Sequence, residues 1–328
     1  MQIEQLVGAQ LAVGFPGLQP AAEIIEALRR TQARSLVVFS RNYESPDQFR
    51  RLVAGLEQGV GRRLLVMVDH EGGPVIRFRT GVTQFPSACS MSRTERPEAI
   101  ERQGAVEAEE LKRLGVRVNL APCLDVIVEG SDPIIGERSY GSDPERVAQL
   151  GLARIRGLQS HGVAACAKHF PGLGAVPRDP HRTLPTIDID WTEMEEVHLP
   201  PFESAVRSGV AMVMSSHVCY PGLGEPQGLP ATFSRHLIHD VLRTRMGFRG
   251  LMLTDDLEMG ALRAFGSMGE VAVRSAAAGH DLLLICSDLA AAVDAHQSLV
   301  RAYTSGQLNG DELHAAAARV ETAFNVSI

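Results

Sequence analysis

The segment from Lys168 to Pro185, KHFPGLGAVPRDPHRTLP, ends an apolar run and continues with glycine, proline and charged residues. A long loop of this composition is costly to order, and polar residues on such loops often carry function. Asp179 and His181 lie on either side of Pro180. They could pair, with the carboxylate fixing the tautomer of the imidazole and raising its basicity for general acid–base chemistry. Two solvated loop side chains are the alternative.

Two further pairs of polar residues come directly at the ends of apolar runs. Asp255 and Asp256 end LMLTDD, and adjacent strand residues point to opposite faces. One carboxylate could therefore face a pocket while the other supports the following turn or caps a helix. Lys168 and His169 close AACAKHF, where burial without partners would be expensive. These pairs predict a polar pocket.

Additional candidates lie in two glycine-containing segments. In VDHEGGPVIRF, Asp69 and Arg77 flank glycines that allow close approach of a ligand to the backbone. An Asp and an Arg could bind neighbouring sugar hydroxyls, which both donate and accept hydrogen bonds. The alternative is a tight turn with a surface arginine. Arg138, in IIGERSYG, is uninformative alone. Without an H-x-x-x-H or a matching ligand cluster, no metal site is predicted.

Eight short apolar runs alternate with amphipathic helical patterns and would position these residues. Continuous hydrophobicity is typical of parallel strands buried on both faces. Helix starts are indicated at Ser45, Asp143 and Ser234. The pattern predicts an α/β fold, a (β/α)8 TIM-type barrel in a single domain over residues 1–328, with a doubly wound open sheet as the alternative. The runs are 11–15, 35–40, 64–69, 116–122, 164–170, 211–217, 251–256 and 281–286.

In such a barrel, active sites are built at the C-terminal ends of the strands. Several runs end in polar residues, including Asp69, Lys168–His169, Ser215–His217 and Asp255–Asp256. A purely structural barrel does not need charged residues at one rim. The strand ends therefore indicate an active site.

Composition narrows the class of protein. The 328 residues carry a net charge of -7, and the basic residues are scattered among acids, which argues against nucleic-acid binding. No apolar run is long enough for a membrane span. The five cysteines are odd in number, and no C-x-x-C occurs, which favours buried reduced thiols. With no signal-peptide pattern at the N-terminus, we expect a cytoplasmic protein.

Several segments together resemble the β-N-acetylhexosaminidases of glycoside hydrolase family 3, of the single-domain bacterial type. They occur in the family's order and cover nearly the whole chain. The run KHFPG with D-x-H downstream is specific, and the T-D-D-L segment adds to it. The matching segments are VDHEGGPVIRF, VRVNLAPCLDV, IIGERSYGSDP, KHFPGLG…RDPHRTLP and LTDDLEMGA.

The resemblance implies a role for each matching residue. Asp255 corresponds to the catalytic nucleophile, His181 to the acid/base and Asp179 to the carboxylate that pairs with it. It also implies a retaining glycosidase that needs no cofactor and releases terminal N-acetylglucosamine from muropeptide fragments (GlcNAc-1,6-anhydro-MurNAc with or without peptide) in cytoplasmic peptidoglycan recycling. The residues that would hold the sugar ring are Asp69, Arg77, Arg138, Lys168 and His169.

The chain also departs from the family pattern. Leu173 stands where a histidine is usual, Pro180 replaces the usual serine, and His70 and Pro74 depart from Q-E-G-G-R. Pro180 fixes its own φ and biases Asp179 toward extended backbone. We expect this to stiffen the loop and shift how His181 enters the site.

Other functions remain open at this stage. A histidine acid/base is compatible with phosphate as acceptor, which would make the enzyme a phosphorylase. A non-catalytic sugar-binding barrel is a second alternative, although a binder needs no nucleophile paired with an acid/base. A metal-dependent aldolase or isomerase is a third, and it lacks a ligand cluster. We expect a monomer acting on a small-molecule substrate, a muropeptide or a chito-type sugar; the need for a stem peptide is left open.

Overall fold

The structure is a computed structural model that describes residues 2–130, 134–177, 179 and 183–326, with side chains to residue 323. Eight parallel strands close into a barrel in chain order, with β1 hydrogen-bonded to both β2 and β8. The predicted TIM-type barrel is confirmed, and each apolar run contributes one strand. The strands are β1 Leu11–Val13, β2 Ser35–Val38, β3 Leu65–Val68, β4 Val118–Asn119, β5 Ala164–Phe170, β6 Met212–Ser215, β7 Leu251–Asp256 and β8 Leu282–Ile285.

Helices surround the barrel and follow the strands. The α-helices are α1 Ile3–Ala9, α2 Ala22–Thr31, α3 Pro46–Val60, α4 Ala88–Thr94, α5 Pro97–Arg113, α6 Pro144–Ser160, α7 Trp191–Glu193, α8 Leu199–Arg207, α9 Met268–Ala278, α10 Leu289–Thr304 and α11 Gly310–Val326. Two π-helical segments are Met194–His198, which joins α7 to α8, and His236–Arg245. Short 3-10 helices are Ser40–Asn42, Gly136–Arg138, Pro221–Leu223, Ala231–Phe233 and Gly260–Phe265. Among the described residues, no helix combines the length and apolarity that crossing a bilayer requires.

The predicted helix starts are present. Ser45 accepts a hydrogen bond from the Gln48 N–H at 3.3 Å at the start of α3, and Asp143 caps α6 by accepting from the Glu145 N–H at 3.0 Å. Ser234 accepts from the Leu237 N–H at 3.0 Å, although the helix that follows is π-helical rather than α-helical. These side chains satisfy donors that the first turn leaves unpaired.

The strands are buried along nearly their whole length, as continuous apolar runs predict. Only the last two residues of β7, Asp255 and Asp256, are partly exposed. At the end of β5 the register against β6 shifts between Lys168 and Phe170, and the Lys168–His169 peptide bond is cis. The barrel is therefore regular in its middle and irregular where the polar residues lie.

Candidate active site

A cavity of about 410 Å³ opens at the C-terminal ends of the strands. It brings together six of the eight residues to which the family resemblance assigns a role. These six come from four separate strand ends and loops. The six are Asp69, Arg77, Arg138, Lys168, His169 and Asp255. Its apolar wall is formed by Pro74, Val75, Ile134, Leu173, Met214 and Met259. A polar floor beside an apolar wall is typical of a small-molecule site.

Asp255 lies near the end of β7 and lines both this cavity and an adjoining one of about 220 Å³. Its Oδ1 accepts a hydrogen bond from the Asp256 N–H at 2.8 Å. Burial would raise the pKa of Asp255, but the nearby His169 and His217, the Asp256 N–H and Lys168 outweigh burial and lower it. The carboxylate is therefore ionised at neutral pH, as a nucleophile must be.

The neighbouring Asp256 has a different environment. Its Oδ1 accepts from the Glu258 N–H at 3.1 Å and from the Cys286 N–H at 3.3 Å, so the carboxylate braces the turn after β7. Its main-chain carbonyl lies 2.9 Å from Nε2 of His217. Burial, reinforced by the charges of Glu258 and Asp255, raises the pKa of Asp256 to about 7. The two adjacent acids are thus electrostatically distinct.

Lys168 is held between two carboxylates. Its Nζ lies 2.7 Å from Oδ1 of Asp69 and 2.6 Å from Oε1 of Glu71, and its side chain is 1% exposed. Burial would lower the pKa of Lys168, but these two carboxylates outweigh it and raise the pKa. Asp69 also contacts Arg77, with 3.4 Å between Oδ2 and Nη2. The ammonium therefore stays charged inside the barrel because it is fully paired.

Arg138 makes a two-point contact with Glu71. Its Nε donates to Oε2 at 2.9 Å and its Nη2 donates to Oε1 at 2.8 Å. Nη2 also lies 3.3 Å from Nε2 of His169. Burial would raise the pKa of Glu71, but Arg138 and Lys168 lower it well below its usual range. Glu71 thus contacts two of the three cations that line the cavity, Lys168 and Arg138, and its contact with Arg138 has the planar geometry that suits arginine and carboxylate.

Asp125 holds His169 from behind. It accepts from Nδ1 of the His169 ring at 2.7 Å, from the His169 main-chain N–H at 3.1 Å and from the Leu173 N–H at 2.6 Å. The Cys123 thiol donates to the same carboxylate at 3.1 Å. Burial would raise the pKa of Asp125, but these contacts, above all with His169, lower it. The ring is fixed with Nε2 toward Arg138.

In the described part of the chain, one cluster of side chains has ligand atoms close enough together to hold a metal ion: Cys123, Asp125 and His169. The ligand atoms of Cys123, Asp125 and His169 lie within 4.8 Å of one another, and all three residues are buried. Sequence motifs did not indicate this cluster. In this structure the Cys123 thiol and Nδ1 of His169 both donate to Asp125, and these hydrogen bonds hold His169 in position without requiring an ion.

The loop that carries the proposed acid/base is described only in part. Asp179 is partly exposed and does not line the cavity, and its carbonyl accepts from the Thr183 N–H at 3.5 Å. His181 and Pro180 lie outside the described residues. Leu173, at the start of the loop, is buried and lines the cavity where the family pattern has a histidine.

Sequence reasoning missed Glu71 and Asp125 as parts of the site. Both are buried acids close behind strand ends, at 7% and 0% exposure. One signal could have indicated them: Lys168 and His169 end a wholly apolar strand, and buried cations and imidazoles need partners. It is the closed barrel that brings these acids against β5.

The chain is similar in sequence to known glycoside hydrolases. Residues 2–323 match the family described as the glycosyl hydrolase family 3 N-terminal domain. The chain is 39% identical over 259 residues to the beta-hexosaminidase of Nitrosomonas eutropha, covering 77% of this chain and 73% of that protein. It is 32% identical over 337 residues to the beta-hexosaminidase of Hydrogenovibrio crunogenus, covering 95% and 93%.

Solved structures with the same fold include two of similar sequence. A glycoside hydrolase family 3 beta-N-acetylglucosaminidase from Paenibacillus superposes with a TM-score of 0.95 at 34% identity; the match covers 100% of this chain and 63% of that longer one. NagZ from Neisseria gonorrhoeae, solved in complex with N-trifluoroacetyl-D-glucosamine, superposes with a TM-score of 0.79 at 29% identity, covering 97% and 98%.

Proposed function

Because the chain belongs to glycosyl hydrolase family 3, we propose that it is a retaining exo-β-N-acetylglucosaminidase with Asp255 as nucleophile and His181 as acid/base. The coarser sequence prediction, a glycoside hydrolase of the β-N-acetylhexosaminidase type, is confirmed by the curated relatives. The observation that carries the finer proposal is the lowered pKa of Asp255 on the wall of a cavity lined with paired cations.

In the first step, the ionised carboxylate of Asp255 attacks the anomeric carbon of a terminal β-linked N-acetylglucosamine. The bond from that carbon to the leaving oxygen breaks, and His181 gives the leaving oxygen a proton. In the second step, His181 takes a proton from water as the water displaces Asp255, so the configuration is retained. Asp179 would pair with His181 and tune its basicity.

The other polar residues of the cavity would bind the sugar ring. Asp69, Arg77, Arg138, Lys168 and His169 present donors and acceptors toward the cavity that match sugar hydroxyls. Their mutual ion pairs hold them in place before substrate arrives, so little ordering is needed on binding. The apolar wall at Met214, Met259 and Leu173 would lie against carbon faces of the substrate.

As biological role we propose the removal of terminal N-acetylglucosamine from muropeptide fragments, with or without stem peptide, during peptidoglycan recycling in the cytoplasm by a monomer. The family relationship supports this role. A direct test is hydrolysis of N-acetylglucosaminyl-1,6-anhydro-N-acetylmuramic acid compared with its peptide-bearing form.

The mechanism is tested with p-nitrophenyl N-acetyl-β-glucosaminide, with and without phosphate. We expect Asp255→Asn to abolish turnover and His181→Ala to slow mainly the second step, because nitrophenolate needs little protonation to leave. Quenched His181→Ala should then carry one N-acetylglucosaminyl group on Asp255 by mass spectrometry. Asp240→Asn, an exposed helix residue, is the control. Full activity of Asp255→Asn would overturn the proposal, and a sugar phosphate product would make the enzyme a phosphorylase.

A further inference from the structure

A second polar cavity, of about 360 Å³, lies at the opposite end of the barrel from Asp255. Its lining includes Gln10, Arg249 and Asp281, which lie just before the starts of β1, β7 and β8, respectively. The π-helical segment His236–Arg245 and helices α9, α10 and α11 also line the cavity. This cavity is therefore built at the N-terminal ends of the strands, whereas the catalytic residues come from the C-terminal ends.

The described lining of this cavity carries an excess of positive charge. It contains four guanidinium groups and two carboxylates, in a chain whose net charge is -7. The four are Arg235, Arg243, Arg249 and Arg319, and the two carboxylates are Asp281 and Glu312. Such a local excess, against the sign of the whole molecule, favours binding of an anion.

The two carboxylates are already engaged. Asp281, 3% exposed, contacts Arg243 through Oδ2 and lies 2.7 Å from Nη1 of Arg319 through Oδ1. Its Oδ2 also accepts the Met252 N–H at 2.8 Å. Glu312 lies 2.9 Å from Nη2 of Arg235. No carboxylate in the cavity is therefore left to balance Arg249.

The four arginines differ in availability. Arg243 donates to the Gly250 carbonyl at 2.5 Å and is largely buried, so it braces the wall. Arg319 uses Nη1 for Asp281 and is 34% exposed. Arg249 is exposed and lies within ion-pair distance of no carboxylate in the described part of the chain. Burial and the charges of Arg319 and Arg249 lower the pKa of Arg243 despite Asp281, as expected where cations are in excess.

A mostly apolar cavity of about 460 Å³ adjoins the basic one. The two share Arg249 and Arg319, so the guanidinium groups lie at their junction. Val163, Val206 and Phe248 are among the residues that line the apolar part. An organic anion could thus place its charged group at the arginines and its apolar body beyond them.

We propose that Arg249 and Arg319 form a binding site for an organic phosphate whose apolar body occupies the adjoining cavity. Guanidinium groups present paired N–H donors that match phosphate oxygens in a two-point contact. Removing one arginine removes charge-assisted hydrogen bonds, which corresponds to about a tenfold or greater loss of affinity. The site is separate from the catalytic cavity and does not depend on the proposed glycosidase mechanism.

Isothermal titration of the full chain with phenyl phosphate and with inorganic phosphate tests the site. We expect phenyl phosphate to bind wild type about tenfold or more tightly than it binds Arg249→Gln or Arg319→Gln. Inorganic phosphate should bind wild type more weakly than phenyl phosphate does. Arg301→Gln, on the exposed face of α10, is the matched control and should bind like wild type.

Thermal unfolding of each variant separates loss of binding from loss of fold. Arg319→Gln removes one of the two ion pairs of Asp281, so we expect this variant to be less stable. Arg249→Gln removes no ion pair within the described part of the chain. Arg249→Gln is therefore the decisive variant. Equal affinity of wild type and folded Arg249→Gln for phenyl phosphate, or no binding to wild type, would overturn the proposal.

Discussion

Lys168 and Glu71 form a buried ion pair at the floor of the candidate active-site cavity, with 2.6 Å between Nζ and Oε1. Glu71 does not line the cavity, yet it binds Arg138 as well. One carboxylate therefore fixes both Lys168 and Arg138. Since a buried cation without its partner is costly, the positions of Lys168 and Arg138 depend on Glu71.

We predict that Glu71→Gln lowers both stability and activity. The neutral amide removes the carboxylate that Lys168 and Arg138 share, and Asp69 is then the nearest carboxylate to both cations. The free energy of unfolding should therefore fall by about 3–5 kcal/mol. The ratio kcat/KM should fall by about a hundredfold or more because the two cations shift from the positions in which we propose that they bind the sugar. Urea unfolding and hydrolysis of p-nitrophenyl N-acetyl-β-glucosaminide measure the two effects.

The matched control for this prediction is Glu101→Gln, which removes an exposed ion pair to Arg156 at 2.9 Å. Exposed pairs contribute about 0–1 kcal/mol, so this variant should unfold and turn over like wild type. If Glu71→Gln were as mild as Glu101→Gln, the buried pair would not organise the site.

Asp125 is predicted to act as a positioning residue through His169. Asp125→Asn replaces one carboxylate oxygen with an NH2 group, which accepts no hydrogen bond. The single remaining oxygen cannot serve the His169 ring, the His169 main-chain N–H and the Leu173 N–H together. We expect kcat to fall about ten- to a hundredfold, in line with the loss of groups that orient a functional histidine, with a smaller change in KM. The ring nitrogen shifts of His169 in NMR spectra should show a mixture of tautomers.

Cys123→Ser separates this positioning role from general packing in the same cluster. It keeps a donor toward Asp125 and leaves the bonds from His169 and Leu173 in place. Its kcat and its His169 tautomer should stay close to wild type. A wild-type tautomer in Asp125→Asn would contradict the positioning role.

Much of the fold follows from local sequence. Each strand is a continuous apolar run with a turn after it, and burial on both faces needs little else to specify it. The boundaries are less predictable: the run 116–122 yields only Val118–Asn119 as β4, because strand ends depend on hydrogen bonds to neighbouring strands.

The candidate site was partly predictable, and the second cavity was not. Lys168 and His169 stand out because charged residues at the end of an apolar strand need partners. Glu71 and Asp125 have the local sequence of ordinary loop acids, and only closure of the barrel buries them against β5. Likewise Arg249 and Arg319 are distant in sequence and meet because α11 folds back beside β7.

His70 should make the protein acid-sensitive. Burial, together with the charges of Arg154 and Arg77, lowers the pKa of His70 from 6.5 to about 4. The folded state therefore resists protonation of His70 more than the unfolded state does. The stability that neutral His70 contributes is fully present above pH 6.5 and is lost as the pH falls toward 4. His70→Gln, which carries the family's usual residue, can still accept the Arg77 N–H and has no such titration.

Urea unfolding of both proteins at several pH values measures this difference. Relative to wild type, His70→Gln should gain up to about 3 kcal/mol between pH 7.5 and pH 4. His314→Gln, a change at an exposed histidine on α11, should follow the wild-type curve. A constant offset between His70→Gln and wild type at every pH would show that His70 does not titrate in this range.

Asp256 is predicted to have the opposite pH dependence. Burial raises its pKa from 3.8 to about 7, so the folded state holds the proton more tightly than the unfolded state does. Its contribution to stability is present below pH 3.8 and is lost as the pH rises to 7.

Asp256→Asn retains an oxygen that can accept from the N–H groups of Glu258 and Cys286 but cannot ionise. Between pH 4 and pH 8 we expect the unfolding free energy of Asp256→Asn to rise relative to wild type by up to about 4 kcal/mol. Exposed Asp311→Asn should show no such trend, and parallel curves for Asp256→Asn and wild type would contradict the raised pKa.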